Sequence, residues 1–181
     1  MRLKNSLTEY GLFSKIFHWL SAAVLFAQIP LGFYLVRQEF SDFRITIEEI
    51  HVLIGITIFY ITLLRLLVRL FINSPENPIE AFPGQMIIAK LNHFLLYLTL
   101  LTVTSSGILK KLFNGEKLNF GITEIKLKSN FDYADLSYDV HIYSNYTLIA
   151  LISLHILAAL LHTFVFKDNV CLLYTSPSPR D

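Results

Sequence analysis

Four apolar runs, each long enough to cross a bilayer, limit what this chain can fold into. They are Phe13–Val36, Ile47–Ile72, Met86–Leu109 and Asn145–Phe166. About 20 apolar residues wound as a helix cover the roughly 30 Å of hydrocarbon. Lipid offers no water to satisfy backbone groups, so such runs fold as helices. Composition agrees. Of 181 residues, 54% are hydrophobic and 16% charged, with a mean hydropathy of +0.52, whereas a soluble domain carries about 25% charged residues. The expectation is an all-α integral membrane four-helix bundle over residues 1–170. Disorder and a disulfide scaffold are excluded, since Cys171 is the only cysteine. A net charge of +1, with basic residues spread along the chain, excludes a nucleic-acid face.

The first run is too long for a signal-peptide core, lacks a small-residue cleavage site and contains His18 and Gln28. Between the third and fourth runs, residues 110–144 form the expected extramembrane element, a polar loop with Asn114-Gly115 and Phe120-Gly121 turn signals. Basic residues divide evenly between the two sides, so orientation rests on Arg65 and Arg69 in LLRLLVRL, tight against the bilayer. That places both termini in the cytoplasm and the 110–144 loop outside. The tail at 171–181, CLLYTSPSPRD, has no helical or membrane logic. It resembles translated sequencing adapter and is set aside as non-native.

All six histidines, His18, His51, His93, His141, His155 and His162, fall within or beside the spans. Ionisable groups at membrane depth are costly and mark function by default, although a single one often serves only as an interhelix hydrogen-bonding residue. His141 and His155 are 14 residues apart. At 100° per residue they share one helix face, about 21 Å apart along the axis. One helix can therefore offer a ligand to each of two stacked cofactors. His18 opens the first span and His51 the second, and these helices run in opposite directions. His155 then shares a depth with His18, and His141 with His51. Each pair could hold a haem iron through both axial positions. No CxxCH occurs, so the haem would be b-type. Zinc fails because neither pair has a third and fourth ligand. His162 lies seven residues beyond His155, near the same stripe, and is an alternative ligand.

Several stretches now resemble a known family: FHWL around His18, IHVLIG around His51 followed by LLRLLVR, LNHFLLYL around His93, and LHILAALLHTFVFKDN around His155 and His162. They are similar to the bacterial cytochrome b561 family of four-helix di-haem membrane cytochromes, over most of residues 10–170. The resemblance implies a multi-pass protein of the bacterial inner membrane that moves electrons between a donor and the quinone pool, with ubiquinone as acceptor. It implies haem axial ligation by His18 with His155 and by His51 with His141. His93, His162 and Arg69 become candidates for a quinone site, where histidine suits proton delivery near neutral pH.

The resemblance includes a member that oxidises superoxide and reduces quinone, which is the activity expected here. The alternative is a haem-bearing anchor subunit relaying electrons between quinone and a partner dehydrogenase or hydrogenase. A third reading, a haem-free histidine-dependent transporter, is weakened by the lack of buried acidic residues in the spans. Attraction of superoxide wants a positive field. Arg37, Arg44, Lys110 and Lys111 could supply it, opposed by Glu48, Glu49 and the acids of the third loop, and Lys110 and Lys111 read rather as ordinary membrane-flanking charges. Tyr34, Tyr143 and Tyr146 read as interfacial belt residues. Gly55, Ala158 and Ala159 read as points of close approach for a helix or porphyrin.

Overall fold

The computed structural model describes residues 11–71 and 83–167. Four long helices carry the chain: α1 (Leu12–Val36), α2 (Asp42–Phe71), α3 (Gln85–Phe113) and α4 (Phe131–Leu161). All four are long and apolar enough to cross a membrane. Phe26, Leu53, Phe94 and Leu157 are among the large side chains facing outward, as lipid contact requires. Helix packing follows chain order, α1 on α2, α2 on α3 and α3 along α4. The chain is thus an all-α, multi-pass membrane protein.

Helix ends are set by local chemistry. Ser41 Oγ accepts from the Arg44 amide at 3.2 Å, and Asp42 sits in the first turn of α2, where it complements the helix dipole. Lys110 and Lys111 occupy the last turn of α3. Gly115 closes that helix with φ +80° and its amide on the Leu112 carbonyl. A Cβ at Gly115 would collide with the Ser129 hydroxyl. Gly115→Ala is expected to destabilise the protein by about 1–2 kcal/mol from the left-handed conformation alone, read as a lower thermal midpoint in detergent.

The connection from α3 to α4 differs from the expected 110–144 loop. Helix α3 runs on to Phe113, and α4 begins at Phe131, far ahead of the apolar run that starts at Asn145. Asn130 explains the early start. Its side-chain oxygen accepts from the Tyr133 amide at 3.2 Å, and its own amide donates to Phe113 at 2.8 Å. A capped helix continues through polar sequence that hydropathy alone reads as loop. What remains of the connection holds a short antiparallel pair, β1 (Leu118–Asn119) and β2 (Glu124–Ile125), closed by Gly121 at φ +85°. Lys117 and Glu124 bond across it at 2.9 Å, which lowers the Glu124 pKa and raises that of Lys117. The connection between α2 and α3 and the 171–181 tail lie mostly or wholly outside the described residues.

The core sits at mid-height. Ile58, Leu100, Val103 and Leu148 pack together, with Val24, Leu25, Ile54, Leu96 and Ile152 around them. Leu148 is 1% exposed and lies midway between His141 and His155 on α4. The last turn after α4, His162–Phe166, winds as a π-helix, a form often found at functional sites.

Candidate functional site

Histidine side chains on α1 and α2 meet those on α4 at two depths. At the end near the α1–α2 turn, the rings of His51 and His141 stand 6.2 Å apart between centroids, inclined at 80°. At the other end, His18 and His155 are also 6.2 Å apart, inclined at 62°. The 14-residue step along α4 therefore places its two histidines opposite the two partners expected for them.

Each ring of the first pair lies over a glycine. A Cβ on Gly32 would stand 3.1 Å from His51 Cε1, and one on Gly107 would stand 3.0 Å from His141 Cε1. These are the glycines that admit the rings. By contrast, a Cβ on Gly55 would meet Gln28 in ordinary contact at 3.7 Å, and Ala158 is exposed. His141 Nδ1 lies 2.7 Å from the Val103 carbonyl, which only accepts. Nδ1 therefore donates, leaving the Nε2 lone pair of the neutral ring open.

The second end is more crowded. His93 stands 5.3 Å from His155, so three imidazoles share this depth. Arg65 Nη2 donates to His18 Nδ1 at 3.1 Å. Arg65 and Arg69 both lie over the Tyr97 ring, 5.8 and 5.9 Å from its centre. His162 is buried in the π-helical turn with its ring 5.3 Å from Phe166. The structure thus gathers His93 and Arg69 near His18 and His155, and sets His162 against Phe166.

Charges near the first pair are largely matched. Glu48 receives Lys111 at 2.9 Å and Lys110 at 3.5 Å, and Lys111 also pairs with Glu116. Of the four cations considered for a positive field, Lys110 and Lys111 are tied to carboxylates. Tyr34 and Tyr143 are exposed on the outer surface, as belt residues should be.

A profile of the prokaryotic cytochrome b561 family matches residues 9–172. The chain belongs to the prokaryotic cytochrome b561 family. It is 29% identical to cytochrome b561 homolog 2 of Escherichia coli (strain K12), over 93% of this chain and 92% of that one. It is 30% identical to the probable superoxide oxidase CybB of Yersinia pestis, over 99% of each chain. Membership makes the chain a membrane haem protein with an electron-transfer role, and implies a b-type haem.

The residues present fit that group. Imidazole nitrogens bind metals at about 2.0 Å, so two rings on opposite sides of one iron have centres about 6.3 Å apart. Both pairs stand at 6.2 Å. The glycines under His51 and His141 and the Val103 carbonyl fit one end further. At the other end, His18 can offer Nε2 only once Arg65 releases Nδ1, freeing a cation beside the ring.

Nothing in the sequence marks Arg65, Tyr97, Gly32 or Gly107 as part of the site. Arg65 bears on orientation alone, and glycines in apolar helices carry no mark of which ring they face.

Proposed function

We propose that this chain carries electrons across the bacterial inner membrane through two b haems, oxidising superoxide on one side and reducing ubiquinone on the other. The observation that supports this best is the pair of histidine couples at one spacing and two depths. In this reading His51 and His141 hold the haem near the α1–α2 turn, and His18 and His155 hold the other. Held by these histidines, each haem would supply a one-electron couple that carries electrons rather than binding oxygen.

The N-terminus and the end of α4 face the cytoplasm, and the β1–β2 hairpin faces the periplasm, in keeping with Arg65 and Arg69 at the inner surface. Two superoxide anions lose one electron each and leave as dioxygen. One quinone gains both electrons with two protons from the cytoplasmic side and becomes quinol. In this reading His93 and His162 would pass protons to the quinone, and Arg65 and Arg69 would hold a carbonyl oxygen. The printed name of the Yersinia pestis relative, similar along its whole length, supports superoxide as donor.

The test is made on the purified chain in lipid nanodiscs. Pyridine haemochrome quantitation is expected to give two b haems per polypeptide. A steady superoxide source should then drive quinol formation from a soluble ubiquinone analogue, abolished by added superoxide dismutase. Two haems with no superoxide-driven quinol would replace the enzyme reading with that of an electron-relaying subunit. No haem would overturn both.

A further inference from the structure

Gln28 lies in the middle of an apolar helix and is 9% exposed. Burying an amide there costs free energy unless its groups are bonded. Its Nε2 donates to the His51 carbonyl at 2.9 Å. A carbonyl can only accept, so this contact fixes which end of the amide points where. The other end, Oε1, is buried with no partner among the described residues, and so is Nδ1 of His51. Both residues line one small cavity of about 30 Å³ between α1, α2, α3 and α4, together with Gly55, Thr104, Asn145 and Leu148. About 10–15 Å³ suffices for one water, provided it meets two or more polar partners.

The two unpartnered atoms are complementary. Oε1 needs a donor. If His51 binds iron through Nε2, its Nδ1 carries the proton and needs an acceptor. We propose that Gln28 is a positioning residue for His51, accepting the Nδ1–H hydrogen bond through a single water held in this cavity. The amide thereby grips His51 twice, at its backbone carbonyl and at its ring. The partner ring has a direct counterpart, since His141 Nδ1 bonds the Val103 carbonyl. Both axial ligands of this haem then have their Nδ1 protons fixed, one by backbone and one by Gln28. The inference rests on His51 being a haem ligand, as proposed above.

An acceptor on Nδ1–H makes the imidazole a stronger electron donor and favours ferric iron. Gln28→Met keeps the length but removes both the acceptor and the donor to the His51 carbonyl. It should raise the midpoint potential of one haem and leave the other unmoved, with both haems still bound. Gln28→Asn keeps the amide and leaves room for a further water, and should return that midpoint toward wild type. A purely packing role predicts the opposite order, since methionine fills the site better than asparagine. On the unmodified chain, pulsed electron–nuclear resonance in D₂O should find the Nδ1 proton of one ligand exchanging with solvent deuterons within hydrogen-bond distance of a water. This measurement decides the matter if the methionine variant fails to fold.

If wild type carries two haems and Gln28→Met leaves both midpoints in place, the inference is overturned. The same holds if both haems move together, or if no water deuteron lies near a ligand. Fewer than two haems in wild type would overturn instead the reading on which it rests.

Discussion

His141→Ala is expected to take the haem content of the purified chain from two per polypeptide to one, and to stop quinone reduction by superoxide. Among the described residues no third histidine ring stacks on this pair, and His51 would face a methyl group where His141 now stands 6.2 Å away. The same change removes one of two side-chain donors to the Val103 carbonyl and leaves Ser106 Oγ on it at 3.0 Å. The remaining haem should keep its spectrum, because its ligands lie about 21 Å away along α4. His155→Ala should remove the other haem, although there His93, 5.3 Å from His155, stands close enough to matter. Haemochrome quantitation and low-temperature difference spectra separate these outcomes. Loss of both haems from His141→Ala, or of neither, would rule out the pairing.

The second large effect is expected from a residue with no polar atom in its side chain. Gly107→Leu puts a branched side chain where a single Cβ already comes within 3.0 Å of His141 Cε1 and 3.1 Å of Nδ1. The ring must move, and the bond to Val103 breaks with it. Disturbing such outer contacts weakens metal binding by about 10–100-fold, so the haem at this pair should titrate out during purification while the other remains. Gly55→Ala is the control. Its Cβ meets Gln28 at 3.7 Å, an ordinary contact, and replacing glycine in a helix interior gains about 1 kcal/mol. Both haems should survive that change. If Gly107→Leu also retains both, the glycine is no part of the site.

Much of this was legible in the residues. Helix periodicity is rigid, so a 14-residue step fixes which histidines on α4 share a face, and alternating helix direction fixes which partners share their depth. Less legible was anything decided between helices. Hydropathy could not find the start of α4, because Asn130 begins the helix by a hydrogen bond in polar sequence. Gln28 was visible as a polar residue in an apolar run, but its partner on α2 depends on how α1 is rotated. Gly32 and Gly107 look like Gly55 in sequence. Only packing tells which of them lies under a ring. Lys110 and Lys111 read as membrane-flanking charges, and only the fold brings Glu48, some 60 residues away, onto both.

One feature of the core bears on energy conservation. The layer formed by Ile58, Leu100, Val103 and Leu148 closes the bundle at mid-height, and the small cavity beside Gln28 ends against it. Electrons tunnel through such a layer, whereas protons need a chain of donors and acceptors, which four aliphatic side chains do not provide. If electrons enter at the periplasmic haem and protons are drawn from the cytoplasm, each turnover is electrogenic. Negative charge then moves inward and protons are consumed inside, with this aliphatic cluster lying between the two histidine pairs.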